Sequence, residues 1–263
     1  MKITLLLTFA VLLCALQTAN TTRDKALESL ATAERNFAAT SAKKGFHKAF
    51  AENMADDGIV FAPTLTNGKK LHSEAPESKA LLTWYPAYAD ISASLDWGYT
   101  TGPYEFKANP EDEKPAGAGF YLSVWRKQPN GQWKVAVDMG NSFSADLIKP
   151  ETYQPAPAIK ETTGKGSEKD LLASDVQKVQ PYYDETLIYR HGEYPYRYKN
   201  TPIEPAATIV YTTLGHELSP SADMGYTYGS YMQGETTGHY LKVWKMLDGK
   251  WKLVAHNLVP DKK

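Results

Sequence analysis

The chain has 263 residues, 42% of them hydrophobic, with 29 basic against 30 acidic side chains and a formal net charge of -1. That length suits one large domain or two compact ones. The near-neutral balance argues against partners selected by bulk charge, so neither a nucleic-acid groove nor an anionic membrane surface is expected.

Met1 and Lys2 precede an apolar run from Ile3 to Leu16, broken by Thr4 and Thr8, and polar residues follow from Gln17 to Asp24. This is the layout of a secretory signal peptide, assigned to residues 1–19, and the run is short for a bilayer of ~30 Å. An uncleaved N-terminal anchor is the alternative. Cys14 is the only cysteine and lies inside the run behind Leu13, where a lipidation site would have a small residue. Removal of the leader leaves a mature chain without a thiol, which excludes disulfides, cysteine nucleophiles and thiolate metal sites. The expected location is periplasmic or secreted, with no membrane contact beyond export.

Arg23 to Lys44 reads as a helix, with Leu27, Leu30, Ala31, Phe37 and Ala38 on one stripe. Glu34 interrupts that stripe. A carboxylate on a core face must find a donor or shift its pKa upward, so Glu34 is either a functional buried acid or, the preferred reading, a structural acceptor for a Tyr, Trp or backbone amide. Gly45 ends the helix, and Phe46 to Met54 forms a second. Asp56-Asp57-Gly58 reads as a solvated turn, Ile59 to Phe61 as a buried strand, Asn67-Gly68 as a turn and Ser78 to Tyr85 as a brief helix with Trp84 inward. From Ile91 the period changes to two, giving strands at Ile91–Thr101, Gly119–Lys127 and Gln132–Asn141, with a hairpin at Pro129-Asn130-Gly131.

The end of this region occurs twice. Asp96-Trp97-Gly98-Tyr99-Thr100-Thr101-Gly102-Pro103-Tyr104 returns as Asp223-Met224-Gly225-Tyr226-Thr227-Tyr228-Gly229-Ser230-Tyr231. Tyr121-Leu122-Ser123-Val124-Trp125 returns as Tyr240-Leu241-Lys242-Val243-Trp244, and Gly131-Gln132-Trp133-Lys134-Val135 as Gly249-Lys250-Trp251-Lys252-Leu253. The boundaries that follow are a first domain over 23–142, a Pro/Gly-rich linker over 143–166 and a divergent second domain over 167–260, reduced in its N-terminal half. That second half opens with a helix from Lys169 to Val179, continues through Tyr182 to Tyr189 into a strand, and carries a hairpin at Leu247-Asp248-Gly249. Tyr189 to Tyr198, rich in tyrosine with two arginines, has no counterpart in the first copy and reads as a packed surface.

Helix, short helix, strand, helix and three long antiparallel strands is an order that resembles the nuclear transport factor 2-like (NTF2-like) fold, in its SnoaL-like and DUF4440 branch. The residues carrying the resemblance are Leu30-x-x-x-Glu34-x-x-Phe37, Asp57-Gly58-Ile59-Val60-Phe61, Gly98-Tyr99-x-x-Gly102, Trp125 and Gly131-x-Trp133-Lys134. The resemblance implies an α+β protein of two tandem cones, each a curved antiparallel sheet wrapped on helices, with an apolar pocket at the wide end. Ketosteroid isomerase, scytalone dehydratase and polyketide cyclases look similar in fold and place a carboxylate or histidine among aromatic residues there, but their catalytic residues do not transfer here by motif.

Strict alternation along the last strand of each copy groups Trp133, Val135, Val137 and Met139 against Lys134, Ala136 and Asp138, and Trp251, Leu253 and Ala255 against Lys252, Val254 and His256. Asp138 and His256 are thus equivalent titratable positions. They line separate pockets, or they approach each other if the two halves pack sheet to sheet as a pseudo-dimer; pairing with a second chain is the alternative. Glu34, Phe61, Trp84, Tyr99, Tyr104, Trp125, Tyr226, Tyr231 and Trp244 are the candidate pocket walls. No phosphate-cradling loop, nucleophile elbow or paired-histidine motif is present, so no cofactor and no metal are expected. The function expected is binding of a small, largely apolar molecule; the alternatives are a cofactor-independent isomerase or dehydratase using Asp138 or His256 as general base, and a structural or protein-binding scaffold.

Overall fold

A computed structural model describes residues 2–62, 64–142, 144–147, 150, 152–158, 165–177, 188–191, 194–197 and 209–261. The side chains of residues 2–21 and of Tyr189 to Tyr198 lie outside the described residues, as does the segment from 178 to 187. The elements in order are α1 (Lys2–Lys44), α2 (Phe46–Asn53), β1 (Met54–Phe61), β2 (Leu65–Asn67), α3 (Gly68–Glu74), β3 (Leu81–Trp84), β4 (Tyr88–Ile91), β5 (Trp97–Lys107), β6 (Gly117–Lys127) and β7 (Trp133–Gly140). After a 3-10 turn at Ala145–Leu147 come β8 (Gln154–Pro155), α4 (Glu168–Asp175), β9 (Ile188–His191), β10 (Tyr194–Arg197), β11 (Ile209–Leu218), β12 (Met224–Gln233), β13 (Thr236–Leu247) and β14 (Lys250–Pro260). The protein is α+β, as expected, and among the described residues no helix is long and apolar enough to cross a membrane.

The strands form two mainly antiparallel sheets. The first runs β2-β1-β7-β6-β5-β4-β8, with β3 also paired to β5, and the second runs β10-β9-β14-β13-β12-β11. In each, one strand joins the edge of the central meander in parallel, β1 on β7 and β9 on β14. β11 occupies in one piece the place that β3 and β4 share. Gly102 and Gly229 sit where that neighbouring strand comes closest: a Cβ would lie 2.0 Å from the Tyr85 carbonyl oxygen in one sheet and 2.0 Å from that of Thr212 in the other. No side chain fits there, which accounts for glycine at the matching place in both sheets.

Several local expectations are corrected. Ser78 to Tyr85 is not a helix; Leu81 to Trp84 is a strand whose partners run from Lys107 to Tyr104, because two leucines, a threonine and a tryptophan followed by Pro86 pair better than they coil. The helix lies earlier, at α3, where the Asn67 side chain caps the Lys70 amide at 2.8 Å. Ile91 to Thr101 is two strands divided by a turn in which Leu95 takes a positive φ of 63°. Asp56 and Asp57 lie within β1 at a bulge, exposed, and pair with Lys69 and Arg126. The helix expected from Arg23 is the latter part of α1, which begins at Lys2. Part of the segment read as linker adds β8 to the edge of the first sheet, where Ala156 is buried.

The concave face of the first sheet covers α1 and α2: Leu27, Leu30, Phe37 and Phe50 pack with Trp125, Trp133 and Val135. Its opposite face meets the second sheet. Trp97, Tyr99, Leu122, Val124, Val137 and Met139 form one core with Met224, Tyr226, Leu241, Val243 and Ala255. Trp97 stacks on Tyr226 at 5.9 Å. Buried Asp90 joins Arg23 at 3.1 Å and, across the seam, Lys245 at 2.6 Å. The matching turns before β5 and β12 touch as well: the Ala93 amide donates to Asp223 and the Ser94 amide to Ser221.

Strict alternation along β7 and β14 is overturned by a bulge in each. Val124 faces Val137 while Trp125 faces Val135, so Ala136 has no opposite residue; Val243 faces Ala255 while Trp244 faces Leu253, leaving Val254. The extra residue turns the strand by one position. Trp133 and Val135 therefore face the helices while Val137 and Met139 face the other sheet, and Asp138 returns to the helix side.

Candidate functional site

The wide end of the first cone holds a cavity of about 220 Å³ lined by Phe37, Phe50, Leu82, Trp84, Tyr104, Tyr121, Asp138 and Gly140. Gly45, with φ of 87°, lets the chain reverse between α1 and α2, so that Phe50 meets Phe37 edge-on at 4.9 Å. Phe37 also meets Trp84 edge-on at 4.7 Å. The Tyr104 hydroxyl donates to the Asn141 carbonyl at 2.7 Å.

Below these walls lies Glu34, fully buried. Its carboxylate accepts from Trp84 Nε1 at 2.6 Å, Thr100 Oγ1 at 2.5 Å and Trp125 Nε1 at 3.1 Å. Burial, with a smaller contribution from nearby Asp138, raises its pKa from 4.5 to about 7 despite these donors. The preferred sequence reading named the right kind of partner, and the group is an acid poised near neutrality as well.

Asp138 is the cavity's one carboxylate. It accepts from Ser123 Oγ at 2.5 Å, and its apolar surroundings raise its pKa from 3.8 to about 6. The arrangement can therefore take up or release a proton near pH 6 beside an aromatic wall.

A similar hydrogen-bonded arrangement with a different centre lies against the second sheet. Trp244 Nε1 donates to Thr227 Oγ1 at 2.9 Å, as Trp125 does to Thr100 at 3.0 Å. Asp175, at the end of α4, stands where Glu34 does and accepts from Thr213 at 2.5 Å, Tyr240 at 2.6 Å and Thr227 at 2.8 Å. At the position of Ser123 is Lys242, also fully buried. Its ammonium lies 3.0 Å from Asp175 and 3.3 Å from the centre of the Tyr211 ring. Burial lowers its pKa to about 8, against the pull of Asp175. Where Ser123 donates to Asp138, Lys242 pairs with Asp175 instead.

Of the residues singled out from sequence, Trp84, Tyr104 and Asp138 line the cavity, and Glu34 and Trp125 form its floor. Phe61, Tyr99 and Tyr226 lie at the seam between the sheets, because they sit on the phase opposite to the helices. Tyr231 packs with Tyr240 and Leu258, and Trp244 with Leu171 in the second half. His256 is buried beside Tyr211 at 5.9 Å; it and Asp138 occupy equivalent places on separate helix-facing surfaces and do not meet. Phe37, Phe50, Leu82, Tyr121, Thr100, Asp175 and Lys242 were not anticipated as site residues. Nor was a contact between His47 and His72, whose Nδ1 atoms lie 2.9 Å apart.

A bulged antiparallel sheet wrapped on a long helix, open at one end to an apolar recess, is the architecture of an NTF2-like cone. No protein-family model matches the chain, and no curated protein sequence does. Solved structures similar to it include a protein of unknown function with a cystatin-like fold from Nostoc punctiforme, at 18% identity over 43% of this chain and 88% of that one with a TM-score of 0.35. An NTF-2 like protein of unknown function from Shewanella oneidensis is 13% identical over 43% of this chain and 96% of its own, TM-score 0.35. A ketosteroid isomerase-like protein from Erwinia carotovora atroseptica is 18% identical over 46% of this chain and 95% of its own, TM-score 0.34.

Proposed function

We propose that this protein is an exported tandem of two NTF2-like cones, over 23–142 and 167–260, paired as a pseudo-dimer, and that the first cone binds a small, largely apolar molecule. The observation that carries the reading is a single protonatable carboxyl group, Asp138, in an otherwise aromatic and aliphatic recess. Drug-sized ligands occupy pockets of roughly 300–1,000 Å³, and an apolar cavity of ~150 Å³ accepts benzene. A cavity of about 220 Å³ therefore fits a monocyclic molecule bearing one polar group that Asp138 orients. This cavity takes one ligand per chain.

Proton transfer is the second reading, supported by the rise of Asp138 to about 6, close to what a general base at neutral pH requires. Native mass spectrometry of the mature chain, with identification of any retained compound, tests the binding reading, and the observed mass places the leader cleavage. Retention of a monocyclic compound, lost in Trp84→Ala, is the expected result. A wild type that carries nothing and whose melting is unmoved by a monocyclic panel would remove the proposal. Asp138→Asn then separates the two readings: it weakens retention under the first and abolishes turnover of the identified compound under the second.

A further inference from the structure

We infer that His47 and His72 form a binding site for a late first-row divalent metal ion, zinc or copper(II), at the rim of the first cone. His47 lies in the first turn of α2 and His72 in the last turn of α3. Their Nδ1 atoms converge to 2.9 Å with the rings tilted by 46°. Two neutral imidazoles can hold that contact only if one carries its proton on Nδ1 and the other accepts, whereas a metal ion takes both lone pairs.

The rings are held in place from outside the pair. His47 lies against Phe46 at 4.0 Å, while His72 stacks on Phe50 at 4.4 Å and meets Phe46 edge-on at 6.1 Å. The two helices are fixed separately, α2 by the Gly45 reversal and α3 by the Asn67 cap. Metal–nitrogen bonds of ~2.0–2.1 Å at a tetrahedral angle place the nitrogens roughly 3.3 Å apart. The observed gap needs to open by only a few tenths of an ångström. Both rings are partly exposed, so water can reach the ion.

Among the described residues no group of three or more His, Cys, Asp or Glu side chains could hold a metal. The ion would therefore keep water in its remaining positions, and its affinity would be that of a bidentate imidazole chelate. Such a site ties α2 to α3, and through Phe50, which touches His72 and lines the cavity, it stiffens one wall of the recess. The spacing of 25 residues hides the pair from any local motif.

The test is isothermal titration of chelator-treated protein with zinc chloride, repeated with cobalt(II) and read by its visible absorption. One ion per chain is expected, with affinity reduced more than about tenfold in His47→Ala and in His72→Gln and unchanged in His216→Asn, which alters a histidine of the second half. Circular dichroism verifies that the variants are folded; should His72→Gln unfold, the partly exposed position His47 carries the test. Undiminished zinc binding in His47→Ala, or no saturable uptake by the wild type below about 1 mM, overturns the assignment.

Discussion

Replacing Glu34 by Gln should convert a pH-dependent stability into a flat one. In the folded protein the Glu34 carboxyl titrates at about 7, against 4.5 ordinarily, so between those pH values the unfolded chain releases a proton that the folded chain retains. Stability must then fall as pH rises through that window: the contribution is fully present below 4.5 and lost above about 7. At about 1.4 kcal/mol for each pH unit, the loss amounts to roughly 3 kcal/mol. Gln suits the site because its carbonyl oxygen can accept from Trp84 while its amide donates to Thr100, and Trp125 retains the Thr100 hydroxyl at 3.0 Å. Urea unfolding of wild type and Glu34→Gln at pH 4.5, 6 and 8 is the assay, because the difference between the two curves cancels the titrating groups that do not couple to Glu34; Asp138 does couple. Wild type should lose ground on the variant by roughly 3 kcal/mol across the series, a midpoint change of about 1–3 M for slopes typical of urea. A difference that stays constant with pH would refute the claim that Glu34 is held protonated by burial.

Lys242→Met should cost about 3–5 kcal/mol in the same assay, since it leaves Asp175 buried without its cation; Lys242→Met combined with Asp175→Asn should recover part of that loss. Trp97→Ala removes the ring stacked on Tyr226 at the seam and should destabilise the chain by about 3–5 kcal/mol, with both sheets losing protection together in hydrogen exchange. Protection lost in one sheet alone would show that the two halves do not unfold as a unit. Asp138→Asn should leave stability at pH 8 equal to or above that of wild type, because burial of the charged carboxylate is relieved; a clear loss there would show that the ionised group is a structural acceptor for Ser123.

How much of this was legible in the sequence follows from which signals survive burial on two faces. Glu34 was visible because α1 is amphipathic: a lone carboxylate on an apolar stripe requires donors, and Trp84, Thr100 and Trp125 provide them. The repeated glycines were visible because the close approach of a neighbouring strand leaves no alternative residue. The phase of β7 was hidden. Its sequence, Trp-Lys-Val-Ala-Val-Asp-Met-Gly, is packed by helices on one side and by a second sheet on the other, so apolar residues fall on both faces and period two carries no phase information. The bulge at Ala136 shows only in the pairing with β6, and without it Asp138 falls on the face of Ala136 rather than on that of Trp133 and Val135.

The two central sheets differ at one pair of similar segments in one substitution of chemistry. Tyr121-Leu122-Ser123-Val124-Trp125 and Tyr240-Leu241-Lys242-Val243-Trp244 occupy matching registers, and the Trp–Thr hydrogen bond beneath them is the same in both. A serine leaves Asp138 facing an open recess; a lysine with no exposure cannot remain there without a carboxylate. Asp175 meets that requirement, and Thr213, Thr227 and Tyr240 saturate its oxygens. One copy thus spends its central polar group on internal neutralisation, the other keeps a carboxyl near pH 6 facing free volume. Serine at this register goes with a carboxyl that faces free volume, lysine with a carboxylate that neutralises it.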